Sequence, residues 1–162
     1  MISVSAASWA HEEFFGVEGA DPRWRKRLVT MAAQAARRPG GKVSEVFVRS
    51  ADRQGAYGLL ETDAVGESAV STAMFEATAK RCATEAFVFC AVDGSSVALT
   101  DRGSTKGFGS VGARSTGTRG LKVLSALALS PQGVPLGLSG QVWWARSLRR
   151  ATRHRRRHIP RR

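Results

Sequence analysis

The period of the apolar residues changes once along the chain, near residue 86, and that change restricts the fold to helices followed by strands. Ala6, Trp9, Ala10 and Phe14 share one helical face. Asp21-Pro22 is an N-cap followed by the favoured first-turn proline. Trp24, Leu28, Met31, Ala32 and Ala35 then recur at helical spacing until Pro39-Gly40-Gly41 stops the run. Val43, Val46 and Phe47 predict a short third helix, Ser50 caps a fourth through Tyr57 and Leu60, and Val70, Ala73, Met74 and Ala77 mark a fifth. From Ala86 the pattern is different: Phe87 to Val92 is continuously apolar, rich in aromatic and β-branched residues, and ends in Asp93. It predicts a buried central strand. Residues 103–120 hold six glycines in eighteen and read as loop, after which Leu121 to Leu129 and Val134 to Trp144 read as strands. Ser130-Pro131-Gln132-Gly133 between them suits a type I turn, which makes an antiparallel hairpin. The fold class is α+β, a helical bundle and then an antiparallel meander, with no internal repeat.

Charge is distributed as unevenly as structure. Residues 1–101 carry 11 basic and 13 acidic side chains, whereas residues 102–162 carry 14 basic ones and no acid. Nine arginines lie in residues 146–162, and the chain before them has 16 basic residues against 13 acidic, a balance of +3. The excess is an arginine tail on a nearly neutral body, and such tails suit nucleic acid. At 162 residues the chain suits one ordinary domain or two small ones. No apolar run approaches the ~20 residues of a spanning helix, and His11, Glu12 and Glu13 stand where a signal peptide would be greasy. A cytoplasmic, nucleoid-associated protein with no membrane partner is expected. Cys82 and Cys90 lack the spacing of a zinc or redox site and read as buried thiols.

Two glycine motifs are decoys. Gly107 to Gly112 spells G-x-G-x-x-G, but no helix signal follows and no downstream acid could hold a ribose. Gly112 and Gly117 have phosphate-loop spacing, yet Thr118-Arg119 stands where Lys-Ser/Thr is required. On the second helix, Arg23, Arg27, Thr30, Gln34 and Arg37 form a stripe without an acid, flanked by Lys26, Arg38 and Lys42. It suits a row of phosphates, although charge alone favours a solvated helix face. Asp93, at the end of a strand, is placed either to hold a metal or to cap a turn with Gly94 and Ser95. Asp101 has the same two readings, and His11, His154 and His158 are scattered.

Taken in order, Trp9, Phe14-Phe15, Asp21-Pro22-Arg23, Arg27-Leu28, Ala32-Ala33-Gln34, Pro39-Gly40, Ala56-Tyr57, Ala91-Val92-Asp93 and Gly107-Phe108-Gly109 make a pattern. It continues through Leu124 to Leu129, Gly133 to Leu138 and Val142-Trp143-Trp144-Ala145-Arg146. From Trp9 to Arg146 this order resembles the N-terminal half of bacterial cut-and-paste transposases of the Tn-five type, in the insertion-sequence-four family. The resemblance implies a helical domain, residues 1–85, that binds the double-stranded DNA of transposon ends through Arg23, Lys26, Arg27, Arg37, Arg38 and Lys42. It implies for residues 86–146 the first strands of an RNase H-like catalytic domain, with Asp93 as the first of three carboxylates that hold Mg²⁺ or Mn²⁺. Dimerisation with an intact transposase is a further implied partnership.

The sequence also departs from the family. Trp24 replaces the second arginine of the helix motif, and Gly58 replaces an arginine after Ala56-Tyr57. Gly94-Ser95 replace threonines, and Leu124 stands where many relatives have histidine. After Asp93 the only acid is Asp101, so the family's second aspartate and its glutamate are missing and the catalytic triad is incomplete. Two-metal phosphoryl transfer needs several carboxylates. The expectation is a truncated transposase fragment that binds DNA but is inactive alone. A non-catalytic regulator of transposition and a poorly folded pseudogene product are the alternatives. Residues 147–162, acid-free and arginine-rich, read as a disordered tail or the product of an altered reading frame.

Overall fold

The computed structural model describes residues 5–19, 21–63, 65–101, 106–112 and 117–146. Five helices precede four strands: α1 (Ala6–Phe14), α2 (Pro22–Arg37), α3 (Val43–Val46), α4 (Ser50–Glu61), α5 (Glu67–Cys82), β1 (Phe89–Ala98), β2 (Gly109–Ser110), β3 (Arg119–Leu129) and β4 (Pro135–Trp144). The α+β class and its helices-then-strands order are as the sequence predicts. The expectations for the tail fall on residues 147–162, outside the described residues.

The helix ends follow local chemistry. Ser5 Oγ accepts from the backbone N–H of Ser8 at 3.1 Å, and Asp21 Oδ1 accepts from that of Arg23 at 2.8 Å. Each satisfies one donor that a helix start leaves free. Beyond α2, Gly40 and Gly41 take φ of 105° and 99°, a left-handed conformation open to glycine at little cost. Ser50 is the first residue of α4 and Arg49 is its N-cap, one residue from the predicted position. The Arg53 guanidinium donates to the carbonyls of Phe47 and Val48, which tightens the turn between α3 and α4.

Two compact units divide the chain, one of residues 1–92 and 125–141, the other of residues 93–124 and 142–162. The core of the first is Phe14, Val17 and Ala73, packed with Leu28, Val29, Ala32, Val65, Ala69, Val70 and Met74. Of the predicted α2 face, Trp24, Leu28, Met31 and Ala32 are half-buried and Ala35 is exposed, while Val29 is half-buried beside them and Ala33 is buried. In the same unit Arg81 of α5 ties three pieces of chain together. Its Nη2 donates to Glu13 of α1 and its Nε to the carbonyl of Leu136 on β4, each at 2.5 Å. Gly137 admits that approach, since a Cβ there would strike Thr78 Oγ1.

Four strands form one sheet in the order β1-β3-β2, with β4 also paired to β3. β2 runs antiparallel to β3 through Gly109↔Gly120 and Ser110↔Arg119, so a short strand interrupts the stretch read as loop. The G-x-G-x-x-G lies on that strand and its flanks. In the second unit Leu99 N–H donates to Arg119 O, Lys122 Nζ to Ser96 Oγ, and Leu124 touches Gly94. Partner numbers fall as β3 advances, which makes β1 antiparallel to it. The β3–β4 turn is closed by Gly133 N–H to Ser130 O at 2.9 Å, with Gly133 at φ 78°.

β1 corrects one expectation. It is paired to β3 alone among the described strands, and Phe89, Cys90, Ala91 and Val92 are exposed. An apolar strand becomes buried only when elements cover both its faces and both its edges. Cys90 is accordingly exposed and Cys82 half-buried, neither a fully buried thiol.

Candidate nucleic-acid interface

The basic stripe of α2 is one wall of an open groove, and α4 is the other. Arg23, Lys26, Arg27, Thr30, Met31 and Gln34 line the first wall, Ala51, Asp52, Gly55 and Ala56 the second, and Phe47 at the end of α3 joins them around about 360 Å³. The floor is apolar and the α2 rim cationic. Asp21 both caps α2 and holds Arg23, whose Nε lies 3.6 Å from its carboxylate while the side chain stays 94% exposed. Thr30 Oγ1 returns its proton to the Lys26 carbonyl at 2.9 Å, leaving the hydroxyl oxygen as an acceptor.

Arg27 is the most constrained of these cations. Its guanidinium carbon lies 5.9 Å from the Trp24 ring centroid, within reach of a cation–π contact. The same group lies against Gly55 of α4, and Trp24 Cη2 lies 4.0 Å from where a Cβ on Gly58 would be. The two departures at positions 24 and 58 thus meet: a large indole occupies the space beside a residue with no side chain.

The other predicted contacts are not brought to this groove. Arg37 is exposed in the last turn of α2, Arg38 Nη1 reaches the Glu45 carbonyl at 3.5 Å, and Lys42 precedes α3 with its backbone N–H on the Glu45 carboxylate. They lie along the exit of α2 toward α3. What sequence reading missed is the α4 wall. A glycine inside a helix costs about 1 kcal/mol relative to alanine. Gly55 was therefore a sign of close backbone approach.

Residues 6–65 match the family described as transposase DNA-binding. That segment spans α1 to α4 and contains both walls of the groove. The N-terminal region is thus similar to transposase DNA-binding domains, which supports a transposase-related protein with DNA as its partner. No curated protein matches the chain. No helix among the described residues is long and apolar enough to cross a membrane.

Asp93 lies exposed on β1 and accepts from Ser95 Oγ at 3.0 Å. Asp101 serves the fold: its carboxylate is buried, 3.2 Å from Arg119 Nε, and it accepts from the Lys106 backbone N–H at 3.3 Å. Among the described residues no three His, Cys, Asp or Glu side chains come together. A divalent ion of this type takes six or more oxygen ligands, and a two-metal centre shares several carboxylates. Asp93 with one neighbouring hydroxyl does not fit that donor set.

Proposed function

We propose that this chain binds duplex DNA through the α2–α4 groove, as the end-recognition part of a cut-and-paste transposase of the Tn-five type. The observation that carries the reading is the convergence of Arg23, Lys26 and Arg27 on one groove inside the segment that matches transposase DNA-binding. Cations on a groove rim displace counterions from phosphates, and beside them the Gln34 amide can donate to a phosphate or a base edge while the Thr30 oxygen can accept from a base edge. Arg37, Arg38 and Lys42 extend the positive track beyond the groove. The β1–β3–β4 meander is consistent with the opening of an RNase H-like sheet, in which Asp93 is the first carboxylate.

The test is equilibrium binding to duplex DNA with residues 147–162 removed, because that segment carries eight arginines and can mask weaker contacts. Arg23→Ala and Arg27→Ala are each expected to weaken binding by roughly 1–3 kcal/mol if the contact is bidentate to a base, and less if it is to a phosphate. Unchanged affinity in both variants overturns the reading in favour of a solvated helix face. Removing the tail from the otherwise native chain should flatten the salt dependence by about 0.9 for each phosphate it neutralised, and any sequence preference should survive.

A further inference from the structure

We infer that Gly55 is a positioning residue for DNA binding: it is glycine so that the Arg27 guanidinium can lie against α4 and face the groove as a fixed phosphate-binding group. The inference rests on the DNA-binding reading above and adds to it a residue that bears no charge and no side chain.

Gly55 is buried in the interior of α4, where glycine is a poor helix former and its backbone freedom is not used. An ideal Cβ there would collide with Arg27 Nη1 and stand 3.1 Å from Cζ and 3.6 Å from Nε. All three nearest atoms belong to one guanidinium, the far end of a flexible side chain. The helix could accept an alanine, and what would move is Arg27. Trp24 limits the guanidinium from its own helix, at 5.9 Å from the ring centroid, and Gly58 one turn along α4 leaves the indole its place. An arginine that is free in solution loses rotamer freedom when it grips a phosphate, and one already held between an indole and a helix backbone loses less. Arg23 on the same rim is paired with Asp21 of its own helix end and stays 94% exposed. Of the three rim cations, Arg27 is the one with an indole and a helix backbone beside its guanidinium.

The experiment uses the full chain and a random-sequence DNA duplex as probe, with binding measured across a salt series and unfolding followed by temperature. Gly55→Ala is expected to weaken binding by up to about fivefold, no more than Arg27→Ala does, with a log-log salt slope close to native because the Arg27 charge is kept, whereas Arg27→Ala flattens the slope by about 0.9. Its unfolding midpoint should be equal to or above that of the native chain, since alanine is the better helix former. The double variant should bind no more weakly than Arg27→Ala alone. Native affinity in Gly55→Ala, with Arg27→Ala impaired, overturns the inference and leaves the DNA-binding reading standing. A Gly55→Ala loss that persists undiminished in the Arg27→Ala background, or a lowered unfolding midpoint, also overturns it, because the residue would then act through packing. If Arg27→Ala itself binds as the native chain does, the inference and the role of Arg27 in the groove fail together.

Discussion

Helix α2 and strand β1 are both strongly patterned, and they use their side chains in opposite ways. α2 is assigned on every side: Leu28, Val29 and Ala32 go to the core, Trp24 and Arg27 meet the glycines of α4, and Arg23 and Lys26 rim the groove. β1 is the more apolar of the two, yet Phe89 is 53% and Val92 60% exposed. Phe87 and Phe89 meet mainly each other, edge to face at 5.4 Å between centroids. Apolar character supplies the drive to leave water, but a neighbouring element must supply the place. α2 has such neighbours in α1 and α4, and β1 has only β3 among the described strands.

The contrast can be broken by substitution. Phe14→Ala, in the core that α2 shares, is expected to cost about 3–5 kcal/mol in denaturant unfolding. A loss as large from Phe89→Ala would show that β1 is covered in solution and would end the distinction. Arg81→Ala comes next. It strands the buried Glu13 carboxylate and the Leu136 carbonyl together. The expected loss is roughly 2–3 kcal/mol, below that of a fully buried pair because Arg81 keeps partial access to water. Restoring stability by adding Glu13→Gln would confirm that the stranded charge is the cause. The smallest effect is expected from Val92→Thr, within about 0.5 kcal/mol of native, as at surface positions generally. A change of several times that size would sharpen the comparison the other way, by revealing a face of β1 that associates.

The helix starts at Ser5 and Asp21, the stop at Pro39-Gly40-Gly41 and the turn at Ser130 to Gly133 were all legible in the sequence. Each depends on residues only a few positions apart, through a side chain bonded to a nearby backbone group or a φ open only to certain residues. The basic stripe was equally legible as a pattern, but not as a groove wall, because nothing local to α2 says which helix stands opposite. Similar reasoning limited the core face: periodicity placed a stripe on α2, and packing against α1 widened it to Val29 and Ala33.

The sequence by itself determined the order of helices and strands, the hairpin and the identity of the cations, since these follow from short-range sterics, capping and composition. Tertiary structure alone decided which of those cations is held and which side chains meet water. Gly55 became meaningful only with Arg27 lying on it, and Phe87 to Val92 became exposed only through the absence of a described neighbour beyond β3. Burial and positioning are properties of pairs of elements distant along the chain, and the residues of one element do not encode its partner's place.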